Sequence, residues 1–220
     1  EVLKHPEIRV DSIVTLNHDT LLENLLEQGE VPYEDGFQNV IEDEVEYGIY
    51  DPNRFGEGSD SHLHLLTPHG SISWWLFGGR GVTRYIRASA QRPPDELTVE
   101  DTVIERFPKP SVLTSFGKEE SYLNDIFLDM QDEFARSLRR VKRVVVSGYG
   151  FGDRGVNRRL QNWLRRDSEN RLVILHADGF GLVAGNFFWQ SDNWKTEQIE
   201  VIRNHLCSAD PNALKRQLLK

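Results

Sequence analysis

The sequence predicts an α/β fold whose mostly parallel sheet is doubly wound, with helices on both faces, an irregular acidic excursion and a small β-hairpin insertion. Three stretches carry that prediction. Val144-Val145-Val146 runs into Ser147-Gly148-Tyr149-Gly150-Phe151-Gly152-Asp153 and then a helical pattern; Ser12 to Asn17 runs through His18-Asp19-Thr20 into a second; Arg171 to Leu175 ends in His176-Ala177-Asp178-Gly179. Each is a short β-branched or apolar run closed by polar or glycine-rich residues, the pattern of parallel strands covered on both faces. Open α/β sheets place ligands at the C-terminal ends of such strands, so these turns are the places to look for a site.

The Val144 unit is the most explicit. Three β-branched residues read as a strand buried on both faces, and three glycines in five positions let the backbone turn sharply or approach a ligand. Asp153 suits the N-cap of the next helix, where Val156, Leu160, Trp163 and Leu164 share one face. The spacing is not the dinucleotide fingerprint G-x-G-x-x-G. A carboxylate at Asp153 competes with a phosphate for the helix N-terminus, so ribose or adenine contacts fit this turn better than a phosphate cradle. Glycines kept only for close packing are the plain alternative.

Composition narrows the classes. A chain of 220 residues fits one domain with a full core, and 38% hydrophobic with 28% charged residues is ordinary for a globular protein. The net charge of -9 disfavours bulk attraction to nucleic acid or an anionic membrane. The basic run Arg139 to Arg143 reads as complement to a helix dipole. A single cysteine, Cys207, rules out an intrachain disulfide and a four-cysteine zinc site and fits a reducing cytoplasm. No apolar run is long enough to span a membrane. A start at Glu1 rather than Met, and an end inside a helical pattern at Leu218-Leu219-Lys220, read as cuts in a longer protein.

Taken in order, the Ser12 run reads as a buried strand and Leu21, Leu22, Leu25 and Leu26 as the apolar face of a helix. Asn17, His18 and Asp19 are site candidates by position, against turn-forming and capping roles for Asn17 and Asp19. Residues 27–60 are acidic and turn-rich and read as the irregular excursion. His62 to Leu66 alternates as a strand, its histidines facing solvent rather than a metal. His69, between Pro68 and Gly70 at a strand end, suits a general base; a histidine bonded to loop backbone is the plain alternative. Leu76 to Tyr85 reads as a hairpin with a Gly-Gly turn, residues 88–110 as a loop, and Pro110 to Thr114 as a short strand. From Glu119, Leu123, Ile126, Phe127, Met130, Phe134 and Leu138 recur at helical spacing and belong to the core. A ligand over the Ser147 turn reaches the backbone at His176 and Ala177 if the two strands are neighbours. Residues 180–200, with Phe187, Phe188, Trp189 and Trp194, read as aromatic and irregular.

Three of these stretches together resemble the sirtuin-like domains: Thr15 to Glu23, Pro68-His69-Gly70-Ser71, and Ser147 to Asp153 followed by Asn157. The resemblance runs from about residue 12 to residue 180, and is closer to the zinc-free bacterial branch found in antiphage defence proteins. It implies a Rossmann-like, NAD-binding domain that cleaves the nicotinamide–ribose bond of NAD as its substrate, without zinc. Carried across, Asn17 contacts the nicotinamide ribose and orients water, Asp19 lies near the carboxamide, and His69 is the base. Ser147, Gly148, Tyr149, Gly150 and Asn157 hold the adenosine half, with His176 and Ala177 alongside. The family's opening strand and glycine-rich diphosphate loop have no counterpart before Ser12, where residues 1–10 lack glycine. The expectation is a single domain over residues 1–220, truncated at both ends, with further domains, homo-oligomerisation and a cytoplasmic setting. A sensor or assembly module that keeps the fold without turnover is the alternative function.

Overall fold

The computed structural model describes residues 7–42, 45–55, 63–79, 81–88, 93–99, 102–113, 125–176 and 196–203. They fall into two compact units, one of Val10–Phe134 and one containing the chain from Ala135 onward. The architecture is mixed α/β, with two parallel sheets and one antiparallel sheet.

In the first unit, β1 (Ser12–Val14) and β2 (Tyr33–Glu34) flank β5 (Leu63–Leu66) in a parallel sheet. The register sets Ile13 beside Leu65, Val14 beside Leu66 and Glu34 beside His64. With a strand on each side, all four residues of β5 are buried. This corrects the reading of His64 as solvent-facing. His64 is 2% exposed, and its Nδ1 lies 3.1 Å from Glu133 Oε1. Burial of both partners makes the carboxylate the polar group that satisfies the ring.

The helix α1 (Leu21–Gln28) also departs from its expected face. Leu26 is buried, but Leu21 and Leu25 are 59% and 52% exposed, and Glu23 lies inside instead. The four leucines occupy two adjacent stripes of the helix, and only one can face inward.

The remaining strands of this unit form a six-stranded antiparallel sheet in the order β3-β4-β7-β6-β9-β8. These are β3 (Phe37–Glu42), β4 (Val45–Tyr50), β6 (Gly70–Gly79), β7 (Val82–Ala88), β8 (Glu96–Val99) and β9 (Thr102–Val112). The acidic excursion is therefore largely regular, and the loop expected over residues 88–110 contains β8 and most of β9. Tyr47, Phe77, Ile86 and Ile104 form one buried cluster across the sheet, with Ile49, Trp75 and Leu97 against it. Each of those strands needs only two or three inward residues, too few to stand out among charged neighbours. The expected hairpin is β6–β7, not a small insertion but the middle of this sheet. Its pairing runs on to Gly79↔Val82, so Gly78 and Gly79 are strand residues and the turn follows them.

The helix α2 (Asp125–Arg140) buries Ile126, Phe127, Met130, Phe134 and Leu138 as the spacing requires. In the second unit, β10 (Arg143–Ser147), β11 (Arg171–Leu175) and β12 (Ile199–Ile202) are parallel in the order β10-β11-β12. The reading of Val144-Val145-Val146 as buried on both faces is corrected: β10 is half-buried and Ser147 exposed. Among the described residues it is an edge strand of this sheet, whereas the central β11 keeps Leu172–Leu175 within 3% exposure. The helix α3 (Arg154–Arg166) buries Val156, Leu160, Trp163 and Leu164. Gln198 Nε2 donates to the carbonyls of Leu164, Asp167 and Asn170, holding the approach to β12 onto the end of α3. The first two residues of β12, Ile199 and Glu200, fall in the stretch read as irregular. The helical turns expected from Glu119 through Leu123, together with His62, Thr114, Ala177 and the Phe187–Trp194 segment, lie outside the described residues.

Candidate functional site

In the first unit the site begins where β1 and β5 end. The strands are parallel neighbours, so the loops that leave them, residues 15–20 and 67–69, emerge at one sheet edge. Thr15 N–H donates to Leu66 O at 2.9 Å, continuing the ladder past the strand end. Thr15 Oγ1 then accepts the Asn17 amide at 3.2 Å and turns the chain outward. Asn17 is exposed, His18 half-buried and Asp19 exposed. Asp19 Oδ1 accepts the Leu21 amide at 3.0 Å, two residues on, while Thr20 takes the cap position of α1. One Asp19 oxygen is thus a helix-start acceptor, and the carboxylate still faces solvent.

On the second loop, Gly70 N–H donates to Thr67 O at 2.8 Å, closing a four-residue turn with Pro68 and His69 at its centre. Gly70 has φ +77°, and a Cβ there would stand 2.1 Å from Ser111 O. Both facts demand glycine. His69 is 4% exposed, and its carbonyl accepts the Leu113 amide at 2.8 Å. The two loops meet directly: His18 O accepts the Ile72 amide at 2.8 Å, and His18 Nδ1 lies 3.3 Å from Gly70 O. The rings of His18 and His69 have centroids 6.2 Å apart. Ser71 and Ser73 add a hydroxyl pair, 3.0 Å apart, with Ser71 Oγ reaching His18 O at 3.4 Å.

The fold therefore brings Asn17, Asp19 and His69 to one edge. It adds Ser71, Ser73 and a structural role for Gly70 that sequence reasoning did not single out. A signal for the serines was present, since positions i and i+2 of a strand share a face.

A buried charge cluster lies on the same unit. Glu23 is 8% exposed, and burial pushes its carboxyl up, reinforced by nearby Asp35 and opposed by Arg87. Burial also pushes Asp35 up, against the pull of Arg87, to which it is hydrogen-bonded. A cleft of about 550 Å³ opens beside it, lined in part by Tyr33, Glu34, Asp35, Phe37, Arg54 and Arg87. Neither Asn17, Asp19 nor His69 lines this cleft, and its guanidiniums are already engaged. Arg54 is bidentate on Glu34 at 2.8 and 2.7 Å, and Arg87 holds Asp35 and Asn39. Size does not make it the chemical centre.

In the second unit the Ser147–Asp153 turn closes on the N-terminus of α3. Asp153 Oδ1 accepts the Val156 amide at 3.0 Å, as the capping argument expects. Tyr149 Oη accepts the Asp153 amide at 3.1 Å and donates to Asn157 Oδ1 at 2.8 Å. Asn157 Nδ2 donates to Phe151 O at 2.8 Å. Burial holds the Tyr149 hydroxyl well above the ordinary tyrosine range, so it acts as a neutral donor and acceptor. Asn157 is 1% exposed, and its amide braces the turn from inside. Phe151, with φ +56° and 2% exposure, is the strained residue this bracing secures. Gly148 has φ +67°, and Cβ atoms placed at Gly148, Gly150 and Gly152 would meet nothing within 4 Å. Among the described residues nothing packs against the Cα of these three glycines closely enough to require them. The strands β10 and β11 are neighbours, with Ser147 beside Leu175, so His176 follows at the same edge; its amide donates to Ile202 O at 3.2 Å.

Two parallel sheets with polar turns at their strand ends define the class: a mixed α/β protein with polar loops at the sheet edges where such folds place ligands. The SIR2-like domain family matches residues 11–202, and the chain belongs to it. No curated protein sequence matches it significantly. Membership brings an NAD-related function, since SIR2-like domains bind or use NAD and many are NAD-utilising enzymes. Among the described residues no three His, Cys, Asp or Glu are grouped as metal ligands, and no helix is long and apolar enough to cross a membrane.

Proposed function

We propose that the chain is an NAD⁺ glycohydrolase that cleaves the nicotinamide–ribose bond, serving as the effector module of a bacterial antiphage defence protein. The single observation that carries the reading is the convergence of Asn17, Asp19 and His69 at the C-terminal edge of the β1–β5 pair. The donor set suits the substrate: a carboxylate for an amide N–H, an amide for ribose and water, and an imidazole shielded from bulk solvent. The likeness of the three motifs to the zinc-free defence branch supports the biological setting.

In the reaction, the C–N bond between the anomeric carbon and nicotinamide breaks, nicotinamide leaves with the electron pair, and water oxygen bonds to that carbon. Asn17 orients the water and Asp19 holds the carboxamide. His69 takes the water proton, directly or through a ribose hydroxyl, and returns it to solvent. Gly148 and Gly150 give close access to the adenosine half, and Ser147 lies exposed beside them. Tyr149 and Asn157 keep that turn in place.

Nicotinamide release by the intact protein tests the proposal. Turnover by the native protein, reduced about 10²–10⁴-fold in His69→Ala with folding preserved, is the expected result. Full activity in His69→Ala sinks the assignment of the base. NAD binding without turnover in the native protein replaces the enzyme by a sensor or assembly module.

A further inference from the structure

His18 is held more firmly than a loop residue needs to be. Its carbonyl accepts Ile72 N–H at 2.8 Å and Ser71 Oγ–H at 3.4 Å, which pins its backbone to the start of β6. Its ring is oriented separately, by Nδ1 at 3.3 Å from Gly70 O. A carbonyl oxygen only accepts, so Nδ1 carries the hydrogen and the neutral ring keeps its lone pair on Nε2. Among the described residues Nε2 has no hydrogen-bond partner. The ring is half-buried beside the shielded His69, at a centroid separation of 6.2 Å and an interplanar angle of 36°. At that separation and tilt the two imidazoles are neighbours but not stacked face to face.

The chemistry of such a position is narrow. A phosphate offers mainly acceptors and would meet the exposed Asp19 carboxylate next in sequence, so an anion is disfavoured. A metal lacks a third grouped ligand among the described residues. An uncharged hydroxyl donor fits. An imidazole nitrogen accepting at about 2.8 Å suits one hydroxyl of a diol, and the His69 ring stands beside it.

We infer that His18 is a ribose-binding residue: its Nε2 accepts a hydrogen bond from one hydroxyl of a ribose cis-diol whose other hydroxyl faces His69. The assignment rests on the NAD reading above and extends it, because it gives the ribose a second side-chain anchor and fixes the diol relative to the base. His18 acts here as a positioning residue. It would set which hydroxyl His69 reaches.

The test pairs substrate and protein changes. The probes are NAD and two analogues lacking either the 2′- or the 3′-hydroxyl of the nicotinamide-side ribose. The intact native protein, His18→Phe and His18→Gln are compared by calorimetric Kd and by kcat/KM, with circular dichroism to verify folding. Native protein should bind one of the two analogues about 3- to 10-fold more weakly than NAD. His18→Phe should lose the same factor with NAD and show no further loss with that analogue. His18→Gln, which puts an amide oxygen near the Nε2 position, should restore the discrimination. If NAD binds or turns over but the discrimination is the same in His18→Phe as in native protein, the His18 assignment is overturned and the NAD reading stands. If no form binds NAD, both fall.

Discussion

The glycine-bearing turns of the two units are built on opposite principles, and two glycines expose the difference. Gly70 and Gly148 have similar backbone angles, φ +77° and +67°. Around Gly70 there is no room, since an added Cβ would stand 2.1 Å from Ser111 O and 2.9 Å from Phe127 Cε1; around Gly148 no described residue comes within 4 Å of that position. The first turn is fixed by packing against β9 and α2, and its histidine is inside. The second is fixed by hydrogen bonds from Tyr149, Asp153 and Asn157, and its glycines face outward. The first glycine is required by its surroundings; the second is required only by its backbone angle. A residue type at a turn therefore does not tell which job it has; the surrounding volume does.

Substitution should separate them. Gly70→Ala combines a left-handed backbone with overpacking and should destabilise by about 3–5 kcal/mol, read as a shift in denaturant midpoint. Gly148→Ala meets the backbone penalty alone, about 1–2 kcal/mol, and should weaken NAD binding beyond what that loss of stability explains. Equal destabilisation by the two would break the comparison.

The bracing of the second turn is open to a smaller probe. Tyr149→Phe keeps the ring contact with Phe151, at 4.7 Å between centroids, and removes only the hydroxyl. It should cost about 1–3 kcal/mol, because Asp153 N–H and Asn157 Oδ1 lose a partner. An unchanged midpoint would mean that water replaces the phenol without penalty and that the turn is less fixed than its contacts imply.

The least disruptive probe addresses Glu23, buried beside Asp35 with one carboxylate oxygen lacking a partner among the described residues. Burial raises its pKa on folding, so the folded chain binds the proton more tightly than the unfolded one. The stabilising contribution is full below the ordinary value of 4.5 and is lost as pH rises through the raised folded value. Glu23→Gln should therefore raise Tm at neutral pH, and the gain over native should shrink as the buffer is taken below about pH 5. A gain that does not depend on pH would place its origin elsewhere than in ionisation.

Local chemistry carried much of this in the sequence. Asp153 is the cap of α3 because a carboxylate before a helical apolar stripe has few other jobs, and the α2 stripe is core because its period allows nothing else. Asn17, Asp19 and His69 were legible as polar residues at the ends of apolar strands, a statement about sequence neighbours alone. Tertiary structure decided the rest. It set β1 against β5, which alone brings Asn17 and His69 to one edge across about fifty residues of chain. It turned His64 inward by giving β5 a neighbour on each side, whereas β10, with one neighbour among the described residues, is half-exposed. It also made a six-stranded sheet from residues whose charge suggested loops, since Tyr47, Phe77, Ile86 and Ile104 become a core only when their strands are paired. The physical reason is common to all four. Turns and caps are settled by bonds between residues a few positions apart, whereas burial is a property of which distant strands lie alongside, and no local pattern encodes that.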